Sequence, residues 1–146
     1  MMPTIIVYLA SLPAFLFVIN DYNFEWIQII GFITMFISTF IEMKADIDIH
    51  EFKKIRRDRK EIINIGLWKY SRHPNYFGEI CFWYGVAFSY IFCDFKNDCY
   101  YIFGAVINNA LFLFISIPLA EKKLGKYKEG FDNYKKNTNM LIPIKC

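Results

Sequence analysis

Four apolar runs divide the chain, and basic segments separate the second from the third and follow the fourth. Residues 3–20 and 26–41 carry no charge, residues 80–93 follow Glu79, and residues 100–120 form the last run. A membrane-spanning helix needs about 20 mostly apolar residues. The pattern therefore predicts an all-α integral membrane helix bundle, a single domain over residues 1–146. Its four transmembrane helices are predicted at about 3–20, 24–42, 74–93 and 100–120.

The segments between and after these runs, loop 43–73 and tail 121–146, also contain helical patterns. One apolar stripe predicts that the second helix continues beyond residue 42, through Ile41, Ala45, Ile49, Phe52 and Ile55. A neighbouring face carries Asp46, His50, Lys53 and Arg57. An amphipathic extension on the lipid surface is the favoured interpretation. The alternative is that Asp46 faces a polar site.

The tail and the fourth run carry two further patterns. Tyr127, Phe131 and Tyr134 are spaced by four and three residues, which predicts a short helix that follows Gly125 and is ended by Pro143. Asn108 and Asn109 lie near the middle of the fourth run. Hydrogen bonding between helices is the expected role of such amides.

Composition and charge support a membrane protein and predict its orientation. Hydrophobic residues make up 55% of the chain, more than a soluble domain of 146 residues can bury. Of 17 lysines and arginines, all but Lys96 lie in the central loop and the tail. The positive-inside rule places both termini and the central loop in the cytoplasm. This accounts for the net charge of +3 without a nucleic-acid partner.

The four cysteines and the short motifs exclude several kinds of site. No cysteine spacing predicts a metal site, although Cys93 and Cys99 could pair on an oxidising side. The sequence contains no G-x-G-x-x-G, Walker, G-x-S-x-G, H-E-x-x-H or C-x-x-C pattern. A bound nucleotide would therefore not be held by a Rossmann or P-loop site.

The segment from Gly66 to Glu79 brings a basic motif directly to an apolar run. Proline is tolerated at the first position of a helix, so a helix is predicted to begin at Pro74. Asn75 and Glu79 then share one face. A charge at the centre of a bilayer costs about 2.5–3.5 kcal/mol, and less near the interface. Glu79 is therefore expected to face protein or water, either as an ion pair with Arg72 that caps the helix or as part of a binding site.

Three segments resemble the C-terminal half of the steroid 5-alpha-reductase-like family of membrane proteins, which is related to the sterol C14/C7 reductases. They are "IEMKADIDIHEFK", "GLWKYSRHPNYFGEICFWYG" and "KYKEGFDNYKKNTNMLIP". The resemblance covers residues 30–143. It implies a membrane helix bundle with an NADPH pocket open to the cytoplasm, and reduction of a carbon–carbon double bond in a lipid or sterol-like substrate.

The resemblance also implies which residues line the pocket. The matching positions are Asp46, Tyr70, Arg72, His73, Asn75, Glu79, Tyr127 and Tyr134. It assigns no catalytic residue, because the acid and tyrosine that polarise the substrate in the family lie in N-terminal helices without a counterpart here. The phosphates of NADPH require cations, and those expected within reach are Arg56, Arg57, Arg72, Lys123 and Lys126.

Two other functions remain open. Isoprenylcysteine and phospholipid membrane methyltransferases share the Arg-His-Pro-x-Tyr motif and use S-adenosylmethionine. They usually have Glu-Glu where this chain has Ala120-Glu121, and they usually lack the Gly78-Glu79 pair, so both details favour the reductase. The chain could instead be a truncated, non-catalytic membrane protein that binds a full-length relative through its helices. A minimal member of the family that forms a homo-oligomer is also possible. The expected location is the endoplasmic reticulum or the bacterial inner membrane.

Overall fold

The computed structural model describes residues 7–8, 11, 14–15, 19, 24–91 and 102–144 of the protein. The described residues contain helices and no strand, apart from one isolated parallel bridge between Ser71 and Asn139. This agrees with the predicted all-α class. The elements are α1 (Gln28–Ile55), a 3₁₀ turn (Gly66–Lys69), α2 (Pro74–Ile91), α3 (Ile102–Leu111), a π-helical turn (Phe112–Ser116), α4 (Ile117–Tyr127) and α5 (Phe131–Asn137).

Two described helices are long and apolar enough to cross a membrane, Gln28–Ile55 and Ile102–Tyr127, rather than the predicted four. Only 22% of the apolar window of each is buried, unlike the core helix of a soluble protein. The prediction of four spans is thus wrong for the described part. The helix Pro74–Ile91 forms as predicted, but Asn75 and Glu79 make its first turns polar. Most of the run 3–20 lies outside the described residues.

The chain divides into two compact units. The described residues of Met1–Thr39 and Glu79–Leu111 form the first unit, and those of Phe40–Gly78 and Phe112–Cys146 form the second. In the first unit α1 and α2 approach closely at Gly31 and Gly85, where a Cβ on Gly31 would lie 2.7 Å from the Gly85 carbonyl. The Asn109 side-chain amide donates to the Tyr84 hydroxyl at 3.2 Å, which confirms the predicted bond between helices for this residue.

The second unit is built on the continuation of α1, which runs unbroken to Ile55 as predicted. Its core contains Ala45, Ile63 and Trp68, and the Trp68 indole donates to the Ala45 carbonyl at 2.9 Å. Asp48 is 5% exposed and accepts the Leu67 backbone N–H at 3.3 Å. These contacts fix the segment before α2 against α1.

The tail breaks at a different residue from the one predicted. Gly125 lies inside α4, which ends at Tyr127. The break falls at Gly130, whose φ of +75° is in the left-handed region that glycine adopts readily. The helix α5 then runs over Phe131–Asn137 and ends well before Pro143.

Candidate functional site

A cleft of about 450 Å³ in the second unit is lined by four residues of the Arg-His-Pro-Asn-Tyr motif, namely Arg72, His73, Asn75 and Tyr76. We call it the basic cleft. This volume is within the range of small-molecule sites, about 300–1,000 Å³. Five cationic side chains line it, namely Lys53, Arg56, Arg72, Lys123 and Lys128, and no aspartate or glutamate is among its described lining residues. Five aromatic residues complete the wall, namely Phe52, Trp68, Tyr76, Phe131 and Tyr134.

Arg72 is buried, and its side chain donates to one carboxylate and to two backbone carbonyls. Its Nε donates to Glu121 Oε1 at 2.8 Å, and its Nη1 donates to the carbonyls of Lys135 at 2.9 Å and Thr138 at 2.6 Å. These carbonyls belong to the last turn and the C-cap of α5, where helical carbonyls have no partner within the helix. Arg72 therefore joins the motif to α4 and to the end of α5.

His73 and Asn75 differ from Arg72, because polar atoms of both are buried without a hydrogen bond. Within the described part of the chain, neither His73 Nε2 nor Asn75 Oδ1 has a hydrogen-bond partner. Glu121 Oε1 lies 3.6 Å from His73 Nε2, close enough for an ion pair but too far for a hydrogen bond. The imidazole stacks on the Tyr76 ring with centroids 5.3 Å apart. Both residues line the basic cleft.

Tyr134 also lines the cleft and holds the motif to α5. Its hydroxyl donates to the carbonyls of Trp68 and Ser71. Burial raises the pKa of Tyr134, opposed by the positive charge of Arg72, so the hydroxyl remains a donor at neutral pH. Of the eight predicted pocket residues, the cleft thus brings together Arg72, His73, Asn75 and Tyr134.

The other four predicted pocket residues do not line the cleft. Asp46 and Tyr70 are exposed, and Tyr127 is 58% exposed with Lys126 over its ring. Glu79 belongs to the first unit, and its half-buried carboxyl lies near the Trp83 side chain one turn later in α2. Their roles in cofactor binding stay predictions.

The cations of the cleft overlap with those expected from the sequence. Arg56, Arg72 and Lys123 line it, as do Lys53 and Lys128, whereas Arg57 and Lys126 do not. The Lys128 ammonium donates to the carbonyls of Arg59 at 2.6 Å and Glu61 at 2.7 Å. Burial, and next the charge of Arg56, lower the pKa of Lys128.

Sequence reasoning missed the structural importance of Glu121 and Asp48. Glu121 is 9% exposed and bonds both Arg72 and Lys135, the latter at 2.7 Å. The sequence signal for Glu121 was its position as a single carboxylate directly after the apolar run 100–120. Asp48 follows Ala45 by three residues and precedes Phe52 by four, so it is an acid inside the apolar stripe.

A larger recess of about 630 Å³ lies in the same unit and is not the preferred candidate. It shares Ile62 and Tyr134 with the basic cleft. The ion pair between Lys60 and Glu129, at 3.0 Å, is among its lining, and both side chains are mostly exposed. Of the eight predicted pocket residues only Tyr134 lines it, so the motif points to the smaller cleft.

These features define a helical protein with two helices able to cross a membrane and a cationic, aromatic cleft built around an Arg-His-Pro-Asn-Tyr motif. The chain belongs to the DUF1295 family, described as a protein of unknown function, whose model matches residues 1–138. No curated protein and no solved structure matches the chain.

Proposed function

We propose that this protein is a membrane-embedded, NADPH-dependent reductase of a carbon–carbon double bond in a lipid or sterol-like substrate, or the cofactor-binding half of such an enzyme. The main support is the composition of the basic cleft, where five cations face a space without a lining carboxylate among the described residues. The association of the DUF1295 family with steroid 5-alpha-reductase-like proteins agrees with this proposal.

NADPH fits the residues that line the cleft. Its 2′-phosphate and pyrophosphate are anions that charge-assisted hydrogen bonds from lysine and arginine would hold, with Lys53, Arg56 and Lys123 as the suggested donors. The aromatic wall suits its planar rings. Asn75 Oδ1, which has no hydrogen-bond partner among the described residues, is available to a ligand, and His73 contributes an imidazole to the same wall. When bound, NADPH would supply the hydride, and the protein would hold it in place.

S-adenosylmethionine fits the same cleft less well. Its sulfonium is a cation, which favours nearby carboxylates. Glu121 does not line the cleft, and its two oxygens are bonded to Arg72 and Lys135. A lipid or prenylcysteine methyltransferase is therefore the alternative function, and thermal unfolding with each cofactor distinguishes it from the reductase.

Thermal unfolding of the purified protein in detergent tests the choice of cofactor. A ligand that binds only the folded state at 100 times its dissociation constant stabilises it by about 2.7 kcal/mol. We expect NADPH to raise the unfolding temperature and added salt to reduce the rise. A rise with S-adenosylmethionine alone would indicate a methyltransferase. A protein unaffected by either would favour the non-catalytic alternative.

Two matched pairs of variants locate the binding site. Lys53 lines the cleft and its neighbour Lys54 does not, and the same holds for Lys123 and Lys122. A hydrogen bond to a charged group contributes about 1.5–3 kcal/mol, so K53Q and K123Q should each weaken NADPH binding about tenfold or more. K54Q and K122Q are the controls. Equal losses in both members of a pair would place the ligand elsewhere.

The orientation in the membrane is part of the proposal. Both termini and the segment between α1 and α2 are expected in the cytoplasm, where NADPH is available, because basic residues concentrate in these segments. In a variant without its native cysteines, an impermeant thiol reagent applied from outside should label N97C and not K136C. The reverse labelling would contradict a cleft open to the cytoplasm.

A further inference from the structure

Glu121 lies behind the wall of the basic cleft and contacts two of the residues that form it. It is on α4, is 9% exposed, and does not itself line the cleft. Its Oε1 accepts the Arg72 Nε at 2.8 Å and lies 3.6 Å from His73 Nε2, while Oε2 pairs with Lys135 at 2.7 Å. Any influence of Glu121 on a ligand must therefore pass through Arg72 or His73.

The pairing with Arg72 fixes one part of the wall. The guanidinium bonds a carboxylate on one side and two carbonyls at the end of α5 on the other, so its planar fork has a defined direction. A buried arginine needs this compensation, because an unpaired charge is costly away from water. The Glu121 carboxylate thus holds Arg72 where it faces the cleft.

The contact between Glu121 and His73 is weaker than the contact between Glu121 and Arg72, because the 3.6 Å separation from His73 Nε2 is too long for a hydrogen bond. Burial lowers the pKa of His73 below 6.5, the nearby Arg72 lowers it further, and Glu121 opposes both. Tyr76 stacks on the ring, and Lys135 pairs with the other oxygen of the Glu121 carboxylate. Without a ligand the imidazole is mainly neutral at neutral pH. A bound anion would add negative charge and favour the imidazolium.

We propose that Glu121 is a positioning residue of the basic cleft, which orients Arg72 and pairs with His73 when the imidazole takes up a proton on binding of a phosphate-bearing ligand. The choice of a phosphate-bearing ligand rests on the proposed function. The arrangement of Glu121, Arg72 and His73 is observed in the structure and does not depend on that proposal. Proton uptake makes binding weaken as the pH rises. The dissociation constant should increase by up to about tenfold per pH unit between the pKa of His73 in the free protein and its pKa in the complex, and should level off above the latter.

Calorimetric titration with NADPH in two buffers of different ionisation enthalpy measures the protons taken up. We expect the wild type to take up a fraction of a proton near pH 7, H73Q to lose this uptake, and E121Q to reduce it. E121D keeps the negative charge and should therefore restore part of the proton uptake. K136Q changes an exposed lysine and should behave as the wild type.

NMR titration of the two histidines, in the wild type and in E121Q, is the second measurement and needs no NADPH. His50 is exposed and supplies a reference signal. Inorganic sulfate, compared with chloride at equal ionic strength, should move the His73 titration to higher pH and leave His50 unchanged. Sulfate has no proton of its own to exchange in this range, so the change reports on the protein.

The outcomes separate this inference from the proposed function. If NADPH binds and the wild type and H73Q take up the same number of protons, the role of Glu121 is refuted and the reductase proposal stands. If NADPH does not bind but sulfate moves the His73 titration in the wild type and moves it less in E121Q, the reductase proposal fails and the role of Glu121 stands. If neither ligand affects His73, the inference is overturned.

Discussion

Arg72 and Asn75 lie three residues apart in one motif and differ in how completely their side chains are bonded. Arg72 donates to Glu121 and to two carbonyls at the end of α5. Asn75 Oδ1 is buried without a partner in the described part of the chain. The comparison indicates that the motif has two functions, with its first part holding the fold together and its later part available to a ligand.

Removing Arg72 should have the largest effect on stability. R72A leaves the buried Glu121 without one of its two cationic partners and the end of α5 without its donor. Breaking a buried ion pair costs about 3–5 kcal/mol. Denaturant unfolding in detergent should report a loss of this size, and R72K should recover only part of it, since lysine lacks the planar fork. Wild-type stability in R72A would show that the cluster is not structural.

Gly66 and Gly130 both have left-handed backbones, but their surroundings differ. A Cβ on Gly66 would lie 2.0 Å from Asp48 Oδ2, whereas one on Gly130 would meet nothing within 4 Å. The left-handed conformation alone costs an alanine about 1–2 kcal/mol. G66A should therefore exceed G130A in its loss of unfolding free energy, because it also displaces Asp48. Similar losses would mean that the contact with α1 does not support the motif.

The pH dependence of stability tests whether His73 is buried as the neutral imidazole in the ligand-free protein. Its pKa is lowered by burial in the folded state, so the unfolded state binds more protons below pH 6.5. Stability of the ligand-free protein should fall as the pH drops below this value, by up to about 1.4 kcal/mol per pH unit. H73Q should have a flatter profile. An identical profile in the variant would assign the pH dependence to other groups.

Changing Asn75 should have the smallest effect on stability. N75L removes a buried acceptor that has no partner, and such replacements are nearly neutral or stabilising. We expect unfolding free energy to change by less than about 1 kcal/mol, with at least about a tenfold loss of NADPH affinity. A strongly destabilised N75L with unchanged affinity would assign this amide to the structural part of the motif.

Local patterns in the sequence predicted the local features of the structure. The proline rule placed the start of α2 at Pro74, and the apolar stripe predicted that α1 continues to Ile55. Hydropathy alone overestimated the number of spans, since Glu79 and Asn75 make the start of α2 polar. The cluster around Glu121 could not be predicted, because it joins residues 49–66 positions apart, and no local period encodes such pairings.

The distance along the chain between Arg72 and its partners also has a consequence for biosynthesis. Glu121 lies 49 residues after Arg72, and Thr138 lies 66 residues after Arg72. At a translation rate of about 5–20 residues per second, roughly 3–13 s separate the synthesis of Arg72 from that of Thr138. At the start of that interval only α1 has been synthesised, and until Thr138 is added the guanidinium must remain hydrated or be held by another molecule. Assembly of the basic cleft is therefore a late event, and nascent chains stalled before Thr138 should be preferred targets of quality control.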